Sequence, residues 1–201
     1  MSPWPLLACP HSNSTAQNAA QKRNRAVTAG MKYRMSSLLA LAERIEQTSL
    51  GTAIAESSLA FPIIEGIHLI GLSVAVGLLF FTDLRLMGVL FKKIPLTDVL
   101  HQLRPWMLGG FIAIFISGGL LFLAEATVLV SSPAFAFKLV FLALAGINAL
   151  YFEFVIARRP EVKENRAVLP SSVRYAGFAS LTLWTLVIIS GRLIPYLPAW
   201  S

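Results

Sequence analysis

The stretch SLAFPIIEGIHLIGLSVAVGLLFFTDLRL, residues 58–86, is apolar over most of its length and carries ionisable side chains near both ends. Glu65 and His68 lie near its start, and Asp83 and Arg85 lie near its end. A transmembrane helix needs about 20 predominantly apolar residues, and this run is long enough. The pattern predicts a membrane-spanning helix with one polar group of residues towards each face of the bilayer.

The composition of the whole chain agrees with a membrane protein. Of its 201 residues, 56% are hydrophobic and only 13% are charged, with a mean hydropathy of +0.68. Soluble domains carry about 25% charged residues. The formal charge of +7 comes from Lys and Arg placed between apolar runs, and no basic helix or aromatic stacking surface accompanies them. We therefore expect the lipid bilayer, and no nucleic acid, as a partner.

Three further apolar runs follow the first one. The four predicted helices cover residues 59–86, 106–123, 135–156 and 175–194. Because backbone groups in lipid must be satisfied internally, and because the runs are continuous rather than alternating, helices are favoured over strands. The sequence predicts an all-α fold, an integral membrane four-helix up-and-down bundle over residues 58–196.

The residues before the bundle differ in composition. Residues 1–34 are polar, and we interpret them as a disordered tail or as the product of an upstream start, with Met31 and Met35 as alternative first residues. Residues 35–57 place apolar side chains on one helical face but carry too many charges to cross a bilayer. They predict an amphipathic helix on the membrane surface, broken or bent at Gly51.

The charges of the loops predict the orientation. The loops after the first and third helices are rich in Lys and Arg, whereas the loop after the second helix, EATVLVSSPAF, has none. Positively charged loops face the cytoplasm. We therefore expect a multi-pass protein of the bacterial inner membrane with the basic loops cytoplasmic. Those basic residues are Arg85, Lys92, Lys93, Arg104, Arg158, Arg159, Lys163, Arg166 and Arg174.

Small residues spaced four apart predict close helix packing. Such spacing lets helix backbones approach one another in lipid. The predicted stripes are Ser73 and Gly77, then Gly109, Ala113 and Ser117, then Ala145 and Ala149, and finally Ala176 and Ser180.

The predicted topology brings five ionisable residues to the outer face. Glu65 and His68 are three residues apart and share a helical face. Ionisable groups at membrane depth are expensive and usually face the interior of a bundle. The predicted site for a cofactor consists of His68, Glu65, Glu125, Lys138 and Arg192, with His68 and Glu65 as metal ligands. The alternative is that Lys138 and Arg192 extend to the membrane surface and that Glu125 lies in a loop.

A second polar group is predicted at the inner face, formed by Asp83, Arg85, His101 and Arg104, with Arg174 as a further candidate. We interpret Asp83 and Arg85 as structural. His68 and the level of Asp83 are about 22 Å apart along a helix. Either the first helix enters the membrane later than predicted, or His68 and His101 do not ligate one haem iron together. A haem b with His68 and a different second ligand, or a zinc, manganese or iron ion at His68, Glu65 and Glu125, stays open.

Motifs for enzymatic chemistry are lacking. The chain has no GxSxG, HExxH, P-loop or GxGxxG sequence. Its single cysteine, Cys9, excludes an intramolecular disulfide and a CxxCH haem attachment. The sequence therefore argues against an enzyme.

The segments LGTAIAESSLAFPIIEGIHLIGLSVAVGLLFFTDLRLMG, RPWMLGGFIAIFISGGLLFLAEA, FAFKLVFLALAGINALYFE and SLTLWTLVIISGRLIPY resemble an uncharacterised family of small bacterial inner-membrane proteins. The family loosely resembles the copper-resistance D-type membrane proteins. The resemblance covers about residues 36–196 and implies a four-helix fold with no assigned chemistry. The matching positions are Glu65, His68, Asp83, Arg85, Gly118, Lys138, Asn148, Trp184, Gly191 and Arg192.

Two functions fit these patterns. The first is a membrane subunit that holds a metal ion or haem near the periplasmic face and transfers electrons or handles metal for a membrane or periplasmic partner. The second is a structural or transport-type bundle, in which the buried charges form an ion-pair network without a cofactor.

Overall fold

A computed structural model describes residues 13–90, 94–159, 162, 170–197 and 199. The chain divides into two units, Met1–Leu41 and Ala42–Ser201, and the four long apolar helices belong to the second. The described residues form helices joined by short connections and contain no strand. The helices are α1 Asn13–Glu46, α2 Ser49–Glu56, α3 Ala60–Leu86, α4 Leu96–Ala124, α5 Ala126–Ser131, α6 Pro133–Tyr151 with a π-helical continuation Phe152–Ile156, and α7 Ser171–Leu193.

Four of these helices are long and apolar enough to span a membrane: α3, α4, α6 with its π-helical end, and α7. Their outward surfaces carry large apolar side chains, such as Ile70 at 68% exposure and Trp106 at 69%. Several polar side chains are buried instead, among them Asp83, Ser117 and Ser180. This distribution is the one expected of a bundle surrounded by lipid, and the predicted fold class is confirmed.

The spanning helices alternate in direction. Helix α3 packs against α4 and α7, and α7 packs against α6. An apolar core between the helices contains Val76, Ala145, Trp184 and Val187, with the ring of Phe111 5.0 Å from that of Trp184. A second cluster, towards the other end, joins the end of α3 to the start of α4 and of α7.

Helix α4 begins about ten residues earlier than the predicted second helix. The prediction took Pro105 as a helix start, but Pro105 lies inside α4. The preceding residues already have helical spacing of buried apolar side chains, since Leu96 and Val99 are in the core. The polar residues Asp98 and His101 of the same segment are exposed. An amphipathic first segment thus extends the helix beyond its apolar run.

The N-terminal segment is helical from Asn13, whereas the prediction began a helix at residue 35. The break occurs at Gln47–Thr48, where the Thr48 hydroxyl accepts a hydrogen bond from the Gly51 backbone N–H and caps α2. The prediction that Gly51 breaks the helix was wrong. Gly51 lies inside α2, and a Cβ atom there would lie 2.7 Å from the Leu123 carbonyl oxygen. Its function is to let α2 approach α4. Residues 1–12 of the predicted tail lie outside the described residues, and the surface location of 35–57 stays a prediction.

The packing stripes of α3 and α4 differ from the predicted ones by one or two residues. Gly71 and Ala75 of α3 contact Gly110 of α4, whereas Ser73 is exposed and nothing lies within 4 Å of a Cβ at Gly77 or Gly109. Neighbouring residues point about 100° apart around a helix with 3.6 residues per turn. A shift of one residue therefore moves a stripe from the helix contact to the lipid side. Ser117, Ala145, Ala176 and Ser180 are buried as predicted, but Ala149 is exposed.

Candidate functional site

The alternating helices bring the start of α3, the end of α4, the start of α6 and the end of α7 to one end of the bundle. His68 of α3 contacts Ser117 of α4, and Lys138 of α6 lies beside Gly191 of α7. These contacts place the predicted residues at a common level. They do not by themselves bring all five side chains into contact.

A hydrogen bond orients the imidazole of His68. Its Nδ1 lies 3.0 Å from Oγ of Ser117, which is itself 2.5 Å from the carbonyl oxygen of Ala113. A hydroxyl has one proton, and a carbonyl can only accept. Ser117 therefore donates to Ala113 and accepts from Nδ1–H of His68. We assign the Nδ1–H tautomer, in which Nε2 of the neutral ring carries the lone pair.

The ring of His68 lies against a glycine. A Cβ atom at Gly118 would be 3.1 Å from Cε1 of His68, tighter than an ordinary contact. His68 is half-buried, and the charges of Lys138 and Glu65 both act on it. Gly118 thus provides the space for the imidazole, and the charges of an ammonium and a carboxylate act on it.

Lys138 is half-buried and extends along α7. A Cβ atom at Gly191 would lie 3.5 Å from Cδ, Cε and Nζ of Lys138. Arg192, the next residue, is exposed, and its guanidinium lies 5.6 Å from the ring centroid of Tyr196. Arg192 therefore has an aromatic contact of its own, and its predicted part in a cofactor site stays a prediction.

Three carboxylates interact by charge at this end. The charges of Glu65 and Glu46 act on Glu125, which follows the last residue of α4. Partial burial, followed by these two negative charges, raises the pKa of Glu125 above its ordinary value. Glu65 and Glu125 are both exposed. The site therefore has an acidic edge next to the imidazole.

Glu46 is the residue that the sequence did not indicate. Its Oε1 accepts a hydrogen bond of 2.9 Å from the backbone N–H of Thr127, and its Oε2 accepts one of 2.6 Å from the Thr127 hydroxyl. Thr127 lies in the first turn of α5, where backbone N–H groups have no partner within the helix. A helix as short as α5 was not predicted, so no sequence signal pointed to this partner.

The comparison with known families can now be given. The sequence profile of a family described as a family of unknown function matches residues 49–197. The chain belongs to the DUF6644 family. Comparison with curated proteins and with solved structures gives no match. No similarity to copper-resistance proteins is found, so membership of DUF6644 supports the resemblance to an uncharacterised family and not its link to copper.

A metal ion at this end of the DUF6644 bundle would need several ligands close together. Across residues 13–90, 94–159 and 170–197, no three His, Cys, Asp or Glu side chains converge in a way that could hold a metal ion. His68 and Glu65 interact by charge, but Glu125 does not complete a three-residue group with them. Ligation by His68 and Glu65 stays a prediction.

The second polar group, predicted for the opposite end, does not form one cluster. Arg85 donates from Nε and Nη2 to the carbonyl oxygen of Ile94, at 3.1 and 2.8 Å. Arg104 pairs with Glu153 in the π-helical segment. His101 is exposed, whereas Asp83 is buried between helices. The interpretation of Arg85 as structural fits these contacts, but Asp83 does not lie at the rim. Lys92, Lys93, Lys163 and Arg166 of the basic loops lie outside the described residues.

Proposed function

We propose that the protein is a membrane subunit that binds haem through Nε2 of His68 and transfers electrons for a membrane or periplasmic partner. The observation that carries this proposal is the hydrogen bond between Nδ1 of His68 and Ser117. Histidines that ligate metals almost always donate their other ring N–H to an acceptor, which fixes the tautomer. Ser117 supplies such an acceptor because its own proton goes to Ala113.

Haem is favoured over a bare metal ion by the number of protein ligands. A zinc site usually needs at least three protein ligands. Such a group is lacking in the described part of the chain. A porphyrin supplies four nitrogen ligands to iron, so that the protein needs to add only axial ones. One oriented histidine can supply an axial ligand to haem iron. It cannot supply the three protein ligands of a zinc site.

His68 would bind without His101. Ser117, the partner of His68, lies sixteen residues after His101 in the continuous helix α4, which corresponds to about 24 Å. One iron cannot reach both imidazoles. The second axial position is therefore left to a ligand other than His101.

The cations at this end of the bundle can pair with the propionate groups of haem. Lys138, which acts on His68 by charge, and Arg192 at the end of α7 are cations that can pair with the propionate groups of haem. Glu65 and Glu125 lie beside them. We place this end at the periplasmic face of the inner membrane, since the loops at the opposite ends of the helices carry the basic residues.

An absorption spectrum of the purified protein, combined with elemental analysis, tests the proposal. We expect a Soret band and iron in the wild-type protein, and loss of both in His68→Ala. His101→Ala is the matched control and keeps the band. Ser117→Ala removes the acceptor from Nδ1–H, and we expect it to weaken haem binding by about 10–100-fold.

A colourless wild-type protein without iron, expressed in cells supplied with haem precursor, would contradict the proposal. That result would favour the alternative, a structural or transport-type bundle without a cofactor. The alternative is supported by the attraction between Glu65 and His68, which needs no ligand.

A further inference from the structure

Asp83 is a carboxylate inside the bundle that the proposed haem site does not use. Its side chain is 2% exposed, and it lies between α3 and α7. The Ser180 hydroxyl forms a hydrogen bond with the carboxyl group, but Oδ2 has no hydrogen-bond partner among the described residues. Most buried polar atoms in proteins have a partner, so an unpartnered carboxylate oxygen requires an explanation.

Two polar side chains in this part of the bundle donate to backbone carbonyl groups. The Thr82 hydroxyl donates to the Leu78 carbonyl, and the Asn148 side-chain amide donates to the Ala176 carbonyl at 3.2 Å. The Ser180 hydroxyl is therefore the donor that stabilises a negative charge on Asp83. One hydrogen bond is too few for a carboxylate in an apolar interior.

Charged groups do not neutralise Asp83 either. Burial and the hydrogen bond from Ser180 are the influences that act on the carboxyl group, and no charged side chain of the described residues is among them. On the same helix, Arg85 donates to the Ile94 carbonyl, and on α4 Arg104 pairs with Glu153 of the π-helical segment. At this end of the bundle, the other titratable residues of α4, α6 and α7 are exposed, namely Asp98, His101, Tyr151, Arg174 and Tyr175.

Helices α3 and α7 pack closely at Asp83. A Cβ atom at Gly177 of α7 would lie 3.0 Å from the Asp83 carbonyl oxygen and 3.0 Å from Cβ of Leu86. The two backbones are therefore in close contact beside the carboxyl group. Because the Asp83 side chain is 2% exposed, separation of α3 and α7 would let water reach an ionised carboxylate.

We propose that Asp83 is a proton-binding site inside the bundle, and that loss of its proton opens the contact between α3 and α7. In the closed bundle the side chain is a neutral carboxylic acid, which avoids an unpaired charge in a low-dielectric interior. When the proton leaves, the carboxylate needs hydration, and hydration requires the helices to move apart. Protonation of one residue is thereby linked to the arrangement of two spanning helices.

The ligand is a proton rather than a metal cation. Hard cations such as calcium take 6–8 oxygen ligands in proteins. The oxygen-bearing side chains that interact at Asp83 are its own carboxyl group and Ser180. The site is also separate from His68, which lies fifteen residues earlier in α3, about 22 Å away. The inference does not depend on the haem proposal.

Infrared spectroscopy of the protein in lipid nanodiscs tests whether Asp83 is protonated. A protonated carboxyl group has a carbonyl stretching band that a carboxylate lacks. We expect a band at neutral pH that is absent from Asp83→Asn and that disappears from the wild type as the pH rises. Ser180→Ala removes the donor that favours the carboxylate, so the band should persist to higher pH. Glu125→Gln is the control and keeps the Asp83 band.

Hydrogen exchange measured on the same samples tests the opening. The ratio of exchange in wild type to that in Asp83→Asn cancels the intrinsic effect of pH. We expect amides around Gly177 and Ser180 to exchange faster in the wild type once the band has gone. If Asp83→Asn does not fold, Ser180→Ala serves as the reference, and faster exchange should then begin at a higher pH in that variant.

Three results would overturn the inference. A wild-type spectrum without a band assignable to Asp83 at any pH at which the bundle is folded would mean that the side chain is always ionised. If the band is lost and amide exchange does not change, ionisation of Asp83 does not open the contact between α3 and α7. Loss of the band on adding sodium at constant pH would identify a site for monovalent cations instead of a proton site.

Discussion

The carboxylate of Glu46, in the last turn of α1, accepts two hydrogen bonds from Thr127 at the start of α5, 81 residues later in the chain. Hydrogen bonds to charged groups contribute about 1.5–3 kcal/mol each. We expect Glu46→Gln and Thr127→Val each to lower the free energy of unfolding by about 1–2 kcal/mol, because each weakens the same contact. Thermal unfolding in detergent measures the change.

The double variant supplies the check on this contact. Because both substitutions weaken one interaction, their effects should be less than additive in a double-mutant cycle. Glu43→Gln, three residues earlier on α1 and exposed, is the control and should unfold like the wild type. Fully additive effects of Glu46→Gln and Thr127→Val would show that the two residues stabilise the protein independently.

Two consecutive glycines of α4 should respond oppositely to alanine. A Cβ atom at Gly110 would lie 2.9 Å from the backbone nitrogen of Ala75, whereas nothing lies within 4 Å of one at Gly109. We expect Gly110→Ala to destabilise the α3–α4 contact by about 1–3 kcal/mol, as overpacking does. Gly109→Ala should be neutral or stabilising by up to about 1 kcal/mol, since alanine is the better helix former. Equal effects in chemical unfolding would contradict the register of these two helices.

Glu125 should make the stability of the protein depend on pH. Because the folded state raises its pKa above the ordinary value of 4.5, the folded protein binds this proton more tightly than the unfolded chain does. The stabilisation is complete below that ordinary value and is lost as the pH rises through the folded-state pKa. As the pH rises through this window, the wild type loses the stabilisation and Glu125→Gln does not. We therefore expect the melting temperature of Glu125→Gln to rise relative to that of the wild type.

Glu65→Gln is the matched variant for this effect. It removes one of the two negative charges that act on Glu125, so the pH window should move downward towards the ordinary value. A difference between Glu125→Gln and wild type that does not vary with pH would mean that the carboxylate titrates alike in the folded and unfolded states.

The orientation of the bundle can be measured with single cysteines. In a Cys9→Ser background, we expect Ser131→Cys, in the loop region between α4 and α6, to react with a membrane-impermeant maleimide added to intact cells. Ser171→Cys, at the start of α7 after the basic loop, should react only after the cells are broken. This follows from the cytoplasmic preference of Lys and Arg in short loops. The reverse pattern would place the basic loops outside.

The helices of the bundle were more predictable than their contacts. The apolar run at 59–86 matches α3 within one residue, because the composition changes sharply at both ends. Helix α4 was predicted too short, because its first segment is amphipathic and Pro105 resembled a helix start. The short helix α5 lies where a loop was predicted, and six residues are too few for a periodic pattern.

The candidate site was predictable at the level of helix ends and not of side-chain contacts. Ser117 was interpreted as a packing residue, and its hydrogen bond to His68 depends on the position of α4 against α3. The burial of Asp83 was missed for the same reason, since it lies near the end of an apolar run where a rim position was expected. In the sequence, Glu46 is one of several charges on an amphipathic helix. Its hydrogen bond with Thr127 depends on the tertiary structure, because the two residues are 81 positions apart.

The sequence by itself determined that four helices are long and apolar enough to cross a membrane, and which helix ends share a face. Lipid leaves the backbone no partner except itself, so run length and polarity are enough to define a span. Only the tertiary structure decided which side chains meet: His68 with Ser117, Lys138 with Gly191, and Asp83 with Ser180. Those contacts depend on the rotation and lateral position of each helix, and a shift of one residue turns a side chain by about 100°, from the interior of the bundle towards lipid.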